Sequence, residues 1–387
     1  MSKIIRITTV PRSMGGLLEG QLRFMSDYYE VVGVSGKGYK IQGEDILDYV
    51  SRQENIRVIP VEMTRKITPI KDLIAVYKLY RIFKKEKPNI VHSHTPKAGT
   101  LSMIAANLAG IPNRLHTIAG LPLLEATGFK RKLLDIVEKI TYACATMIYP
   151  NSFGLKTIIL ENNFTKEEKL KVIANGSSNG IDTDYFNSEL FQEEDKITLL
   201  KELEIKEDDI VFVFVGRLVK DKGINELINS FNKISDQYKN AKLLLVGSYE
   251  KDLDPLLPAS ENEINNNPSI LSVGWQEDVR PFFAISDVLV FPSYREGFPN
   301  VVMQAGSMGL PSIVTNINGC NEIITEGVNG TIIPVKNEQA LYAAMIRFIT
   351  DKKYCIQLSK ESRNMICKKY EREYVWHELL IEYQQLL

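Results

Sequence analysis

A chain of 387 residues is long enough for two domains with separate cores, and a content of 44% hydrophobic and 25% charged residues is that of a soluble globular protein. With 47 basic and 48 acidic residues the net charge is -1, so no global field recruits nucleic acid or an anionic surface, and any such binding must come from a local patch. The four cysteines (Cys144, Cys320, Cys355, Cys367) have neither CxxC nor metal spacing and read as free thiols, no apolar run approaches the roughly 18 residues of a membrane span, and MSKIIRITTV lacks a secretory apolar region, so a cytoplasmic location is expected.

Short β-branched runs alternate with helical stretches from the first residues. Strands are expected over 3–9, 30–34, 57–61, 90–94, 114–118, 147–150 and 171–174, with amphipathic stretches such as 69–86 and 129–145 between them. That alternation argues for parallel strands joined by helical crossovers, a doubly wound α/β sheet. After the first strand, PRSMGGLLEG (11–20) puts Gly15 and Gly16 at an expected helix start, where backbone can approach a ligand closely, though without GxGxxG spacing. IVHSHTPKAG (90–99) carries His92 and His94, which point the same way from a strand, then Lys97. His116 follows in RLHTIAGLP, ahead of Gly120. Paired imidazoles would suit zinc, but no Cys, Asp or Glu falls nearby at ligand spacing. GLPLLEATGFKRKLL (120–134) sets an apolar loop before a helix start bearing Lys130, Arg131 and Lys132. It reads either as a solvated basic face or as a membrane-docking surface, with Leu121, Leu123, Leu124 and Phe129 near lipid and the basic triplet at headgroups.

The alternation breaks over 175–194, a stretch rich in Gly, Ser, Asn and Asp that reads as a linker, and Asp182-Thr183-Asp184 within it reads as turn chemistry. It resumes with strands at 210–215, 242–246, 270–273, 288–291, 312–315 and 331–334, and a terminal helix is expected over 372–387. In VFVFVGRLVKDKG (211–223) a strand ends at Gly216, Arg217 follows, and Lys222 and Gly223 open the next helix. Ligands bind beyond the carboxyl ends of such strands. A guanidinium fork and an ammonium point charge there suit a diphosphate leaving group. In VFPSYREGFPNVVMQAGSMGLP (290–311) a buried strand ends in a Pro-Ser turn, Glu296 stands on a loop, and a helix is expected from about Phe298–Pro299 with a proline in its first turn. The free N–H groups near Phe298, Pro299, Asn300 and Val301 and the positive helix end offer an anion site. A ligand spanning the loop and the first two turns would meet both Glu296 and Gln304.

This last segment resembles the donor-binding signature of the large retaining glycosyltransferase family 4 (glycosyl transferases group 1), whose two-domain fold is called GT-B. The family's signature has two Glu separated by seven residues; here the first is Glu296 and the second is replaced by Gln304. HSHTPKAG and HTIAGLPLLEATGFKRKLL resemble bacterial enzymes that build capsule, O-antigen or lipid-linked oligosaccharides. The resemblance implies two Rossmann-like doubly wound α/β domains facing across a cleft. The acceptor-side domain would be 1–187 with a crossover helix at about 371–387, and the donor-binding domain 188–370.

The same resemblance implies retaining transfer from a nucleotide-diphosphate sugar, taken as a UDP-hexose or UDP-N-acetylhexosamine, to a polyprenyl-diphosphate-linked acceptor. Glu296, Arg217 and Lys222 form the expected catalytic set. Gly15, Gly16, Gly216, Gly247, Gly274, Gly297, Phe298, Pro299, Asn300, Val301 and Gln304 join them around the donor. His92, His94, Lys97, His116 and Gly120 fall on the acceptor side. No metal or cofactor is expected, since Arg217 and Lys222 would replace it. The partners are the nucleotide-sugar, the lipid-linked saccharide and the inner face of the cytoplasmic membrane through Lys130, Arg131 and Lys132, with no nucleic acid. Gln304 lacks the family's charge, and Ala119 stands where the family often has His before Gly120. Two other readings stay open: a GT-B sugar-nucleotide epimerase that needs no acceptor, and a non-catalytic nucleotide-sugar-binding partner subunit.

Overall fold

The β-branched runs of the sequence become strands. In the computed structural model, described for residues 1–38, 40–41, 44–64, 67–121, 123, 126–250 and 254–387, the first eight are β1 (Lys3–Ile7), β2 (Glu30–Ser35), β3 (Lys40–Ile41), β4 (Glu44–Asp45), β5 (Arg57–Pro60), β6 (Ile90–Ser93), β7 (Asn113–Ile118) and β8 (Met147–Pro150). The other six are β9 (Ile210–Val215), β10 (Ala241–Val246), β11 (Ile270–Gly274), β12 (Val288–Phe291), β13 (Ser312–Thr315) and β14 (Gly330–Ile333). The chain divides into two units, Met1–Gly180 with Arg372–Leu387, and Ile181–Glu371.

The first unit holds a six-stranded parallel sheet in the order β5-β2-β1-β6-β7-β8, while β3 and β4 form a separate antiparallel pair. Apart from the edge strand β5, its strands are mostly buried because helices cover both faces. Ile5 and Ile7 pack on one side with Ala75, Leu79 and Phe83 of the helix Pro69–Glu86. Ile4 packs on the other with Met14, Leu22, Val50 and, from the C-terminal helix Arg372–Leu386, Leu379, Leu380 and Tyr383. The chain runs outward from β1 to β2 and β5 and returns to β6 on the other side of β1, so the direction of winding switches between β1 and β6.

Two local expectations are corrected here. Residues 171–174 form no strand; only Leu170 bridges to Ile148, and Ala174 takes φ 51°, outside the extended region a strand requires. The helix after β1 starts at Pro11, whose ring presets a helical φ, and runs to Leu17. Gly15 and Gly16 therefore lie in its second half and not at its start.

The second unit repeats the plan with the order β11-β10-β9-β12-β13-β14, all parallel. Its core is built around the apolar run of β9, where Val211, Phe212, Val213 and Phe214 are buried. The winding switches between β9 and β12, so the loops leaving those two strands flank one crevice at the sheet's carboxyl edge. The stretch read as a linker is partly built into this unit: Ile181 and Phe186 are buried in its core, and Arg363 donates to the carbonyls of Thr183 and Phe186, both at 2.9 Å. Asp182 Oδ1 accepts from the N–H groups of Asp184 (3.1 Å) and Tyr185 (2.9 Å), the turn chemistry expected of it. Among the described residues no helix is long and apolar enough to cross a membrane.

Candidate active site

Of the residues expected around a donor, all but Gly15 and Gly16 stand at the carboxyl edge of the second sheet, on the segments that follow or end β9, β10, β11 and β12. Gly216, Gly247 and Gly274 close β9, β10 and β11 at one level: the Gly216 N–H donates to Val246 O (2.9 Å) and the Gly247 N–H to Gly274 O (2.8 Å). Gly247 has φ 154°, and a Cβ there would lie 1.8 Å from Gly216 O, so the two loops meet this closely only without a side chain. The chain then makes a 3₁₀ turn, Lys220–Lys222, capped by Gly223 at φ 71°. A Cβ on Gly223 would lie 2.2 Å from Pro292 O, so this glycine lets the loop after β9 press against the loop after β12.

That approach joins Lys222 to Glu296. The Lys222 ammonium donates to Glu296 Oε1, and the two side chains keep only 15% and 16% of their surface in solvent. Ser293 Oγ donates to the same carboxylate oxygen at 2.8 Å, and the Lys222 ammonium lies 5.5 Å from the centre of the Phe291 ring. Asn318, on the loop after β13, donates to the carbonyls of Glu296 and Gly297 and so fixes the loop's backbone. Arg217 points elsewhere: its Nη1 meets Glu250 Oε2 at 2.5 Å, with the guanidinium side chain 47% exposed. Neither cation stands alone in this structure; each neutralises a carboxylate. Arg295 reaches Asp221 at 2.9 Å. Burial pushes the Asp221 carboxyl upward, against the pull of Lys222 and Arg217.

The helix after this loop runs Asn300–Ser307, with Pro299 as its extended N-cap, so the proline precedes the first turn instead of lying in it. Phe298 is buried and packs edge-on against Tyr370 at 5.4 Å between ring centres, which leaves only its backbone for a ligand. Asn300 is exposed, and Val301 and Gln304 are half-buried on the first two turns. Sequence reasoning missed Ser293 and Asn318. The only signal for Asn318 was its place in NING at the carboxyl end of a strand.

In the first unit, β6 and β7 bring the three histidines together. The rings of His92 and His94 have centres 4.2 Å apart and planes tilted by 38°. His92 Nδ1 pairs with Tyr383 Oη at 2.5 Å and its Nε2 with Thr117 Oγ1 at 2.8 Å. Ser93 Oγ meets His116 Nδ1 at 2.9 Å. Arg6, wholly buried and overlooked in the sequence, donates from Nε to His94 Nε2 at 2.9 Å and from Nη2 to Gln21 Oε1. That assigns the His94 proton to Nδ1, which faces no hydrogen-bond partner. It lines a small cavity with Thr117, Tyr149, Asn151 and Ser178. Burial lowers all three imidazoles, His116 to about 4 and the other two well below their ordinary range, with Arg6 adding to the effect on His92 and His94. Among the described residues no three His, Cys, Asp or Glu side chains are placed to hold a metal. Lys97 is not joined to the histidines by any of these bonds and pairs with Asp72. Gly120 follows the end of β7, half-buried.

The apolar part of the proposed membrane loop is corrected. Leu121 and Leu123 belong to the core of the first unit, at 7% and 1% exposure, because apolar side chains beside an open core are drawn into it. Leu124 lies outside the described residues. Phe129, Lys130 and Lys132 are exposed, whereas Arg131 is held by Asp135 and Asn162, both at 2.7 Å.

Residues 195–365 match the family model described as glycosyl transferases group 1, and residues 41–155 the one described as glycosyl transferase 4-like. The capsular polysaccharide biosynthesis glycosyltransferase CapM of Staphylococcus aureus is 34% identical over 386 residues, covering 100% of this chain and 97% of that protein. The UDP-Gal:alpha-D-GlcNAc-diphosphoundecaprenol alpha-1,3-galactosyltransferase of Escherichia coli is 32% identical, covering 83% of this chain and 81% of its own length. Among solved structures, Anabaena Alr3699/HepE in complex with UDP matches with a TM-score of 0.80 over 100% of both chains at 16% identity, a likeness of fold. Two doubly wound α/β units of the GT-B fold, a family match in each half and a whole-length relative above 30% identity place the chain in the glycosyl transferases group 1 family: it is a glycosyltransferase.

Proposed function

We propose that this glycosyltransferase moves a sugar from a nucleotide-diphosphate donor, a UDP-hexose or UDP-N-acetylhexosamine, to a polyprenyl-diphosphate-linked saccharide in bacterial surface-polysaccharide synthesis, with retention at the anomeric carbon. The observation that carries the reading is the Lys222–Glu296 pair at the carboxyl edge of β9 and β12, a cation and a carboxylate held within one bond of each other where open α/β sheets take ligands. The substrate classes are those of the relatives, a UDP-Gal donor with a diphosphoundecaprenol-linked acceptor in one and capsule synthesis in another.

On this reading the donor replaces two ion pairs, Lys222–Glu296 and Arg217–Glu250, by contacts of its own. Lys222 passes from Glu296 to the diphosphate, and Glu296 then accepts from hydroxyls of the transferring sugar. Arg217, the exposed member of its pair, leaves the half-buried Glu250 and grips the same diphosphate with its planar fork. Phosphate oxygens also face the N–H groups at the start of the helix Asn300–Ser307. Gln304 bonds a ribose hydroxyl without the charge an acidic residue would supply. The bond between the anomeric carbon and the phosphate oxygen breaks, and negative charge grows on the leaving diphosphate. Lys222 and Arg217 stabilise it there, so the protein supplies positioning and charge instead of a nucleophile. The acceptor hydroxyl oxygen bonds the same face of the anomeric carbon, and its proton passes to the departing phosphate oxygen. No divalent metal is needed for this charge balance. An acceptor of this kind sets the chain against the inner face of the cytoplasmic membrane, with Phe129, Lys130 and Lys132 available there.

The test is an assay with a panel of UDP-sugars and a polyprenyl-diphosphate-linked N-acetylhexosamine, with EDTA present, the product's anomeric configuration being read by NMR. The reading expects glycosylated lipid with the donor's configuration. Conversion of the donor without acceptor would make the chain an epimerase, nucleotide binding without turnover would make it a partner subunit, and loss of transfer in EDTA with rescue by Mg²⁺ would overturn the metal-free step.

A further inference from the structure

The helix Pro69–Glu86 buries a single stripe, Ala75, Leu79 and Phe83, and packs beside the helix Pro96–Ala109 on one face of the first sheet. At 100° per residue the opposite stripe falls on Ile70, Leu73, Ile74 and Tyr77. These side chains are 77%, 71%, 50% and 58% exposed, and Ile67 just ahead of the helix is 56% exposed. Apolar residues scattered singly on a surface need no explanation, but five gathered between Ile67 and Tyr77 do.

The outward face changes character along the helix. Past Tyr77 it is basic, with Arg81, Lys84 and Lys85 exposed, and Lys71 and Lys78 exposed along one flank. The acidic residues of the same helix are turned to other work. Asp72 accepts from the backbone and hydroxyl of Thr68 and pairs with Lys97. Glu86, its side chain 8% exposed, pairs with Lys3 at 2.8 Å and Arg57 at 2.7 Å. The surface left to solvent is therefore apolar in its first half and cationic in its second, against a whole-chain charge of -1. Tyr77 and Arg81 join at 3.1 Å, an aromatic body with two polar tips. The helix Gly128–Cys144, packed on the other side of Pro96–Ala109, carries a weaker version, with Phe129, Ile136 and Ile140 at 82%, 55% and 44% exposure beside exposed Lys132 and Lys139.

We infer that the helix Pro69–Glu86 is a membrane-docking element that lies in the interface of an anionic bilayer, with Ile70, Leu73, Ile74 and Tyr77 among the acyl chains and Lys78, Arg81, Lys84 and Lys85 on the lipid phosphates. Apolar insertion or cationic attraction alone holds a protein weakly; together they supply the two signals that stable anchoring requires. This inference does not rest on the sugar-transfer site, which lies on other residues.

The experiment is sedimentation of the full chain with vesicles of phosphatidylglycerol in phosphatidylcholine and with phosphatidylcholine alone. The expected result is binding to the anionic vesicles only, weakened at least about ten-fold by Leu73→Glu with Ile74→Glu and about five-fold for each of Lys78, Arg81, Lys84 and Lys85 changed to Gln. The melting temperature and the thermal shift caused by UDP stay unchanged, because every altered side chain is exposed. Absence of that UDP shift in the unaltered chain would count against the donor site alone. Equal binding to both vesicle types, or unaltered binding of the double-glutamate variant and of the glutamine variants, would overturn the docking element. So would a dimer in solution that Leu73→Glu dissociates, since a second copy would then cover the face.

Discussion

At the scale of single residues, the proposed chemistry depends on a lysine and a glutamate that the sequence separates by 74 positions and the fold brings into contact. Removing one member of such a half-buried pair takes away a partner in the resting chain and, on the proposed mechanism, a contact in the transition state. Lys222→Ala and Glu296→Gln are each expected to lower kcat by about 10²–10³ while circular dichroism reports an intact fold. The two changes together are expected to cost less than the product of the two, because they act on one unit. Full activity in either single variant would remove that residue from the chemistry. Both residues were legible in the sequence because a cation after an apolar strand and a carboxylate before a helix stand out locally. Ser293 and Asn318 were not, because their importance arises only when the loops after β12 and β13 fold against Glu296. Arg6 was hidden for a related reason: within KIIRI it looks like an outward-facing charge, and only the approach of His94, Gln21 and Tyr383 gives it a buried setting.

Elements were easier to read where the pattern alone decides. Continuous apolar runs such as that of β9 can be satisfied only inside a sheet covered on both faces, and they fall where expected. Residues 171–174 have the right side chains for a strand but meet a left-handed Ala174 and the turn that follows. Leu121 and Leu123 read as a lipid-facing loop because a linear pattern does not distinguish a membrane from the protein's own core. The histidine cluster on β6 and β7 has a consequence in solution. An unfolded imidazole titrates near 6.5, whereas burial keeps His116 neutral down to about 4 and His92 and His94 neutral further below the ordinary value. Between these limits the unfolded chain takes up protons that the native one does not. The cluster's contribution to stability is therefore complete above about pH 6.5 and is lost as the pH falls toward 4. NMR titration is expected to find all three rings neutral at about pH 5.5; a midpoint near 6.5 for any of them would contradict the buried arrangement.

Over the whole molecule, a net charge of -1 gives no reason to expect affinity for anions. What the proposed function needs is local: a small cationic group at one sheet edge for a diphosphate, and a separate cationic and apolar helix face for lipid. Both are invisible in the total and plain once charges are assigned to places in the fold. The GT-B plan was legible from the repeated αβ rhythm and from the two motif segments after β9 and β12. The most direct measurement is titration calorimetry of UDP with the full chain and with Lys222→Ala, Arg217→Ala and Glu296→Gln. We expect the two cation variants to bind UDP at least about ten-fold more weakly, each having lost a charged hydrogen bond to the diphosphate, and Glu296→Gln to keep UDP affinity while losing preference for the UDP-sugar. Unchanged UDP affinity in both Lys222→Ala and Arg217→Ala would place the diphosphate elsewhere and contradict the account.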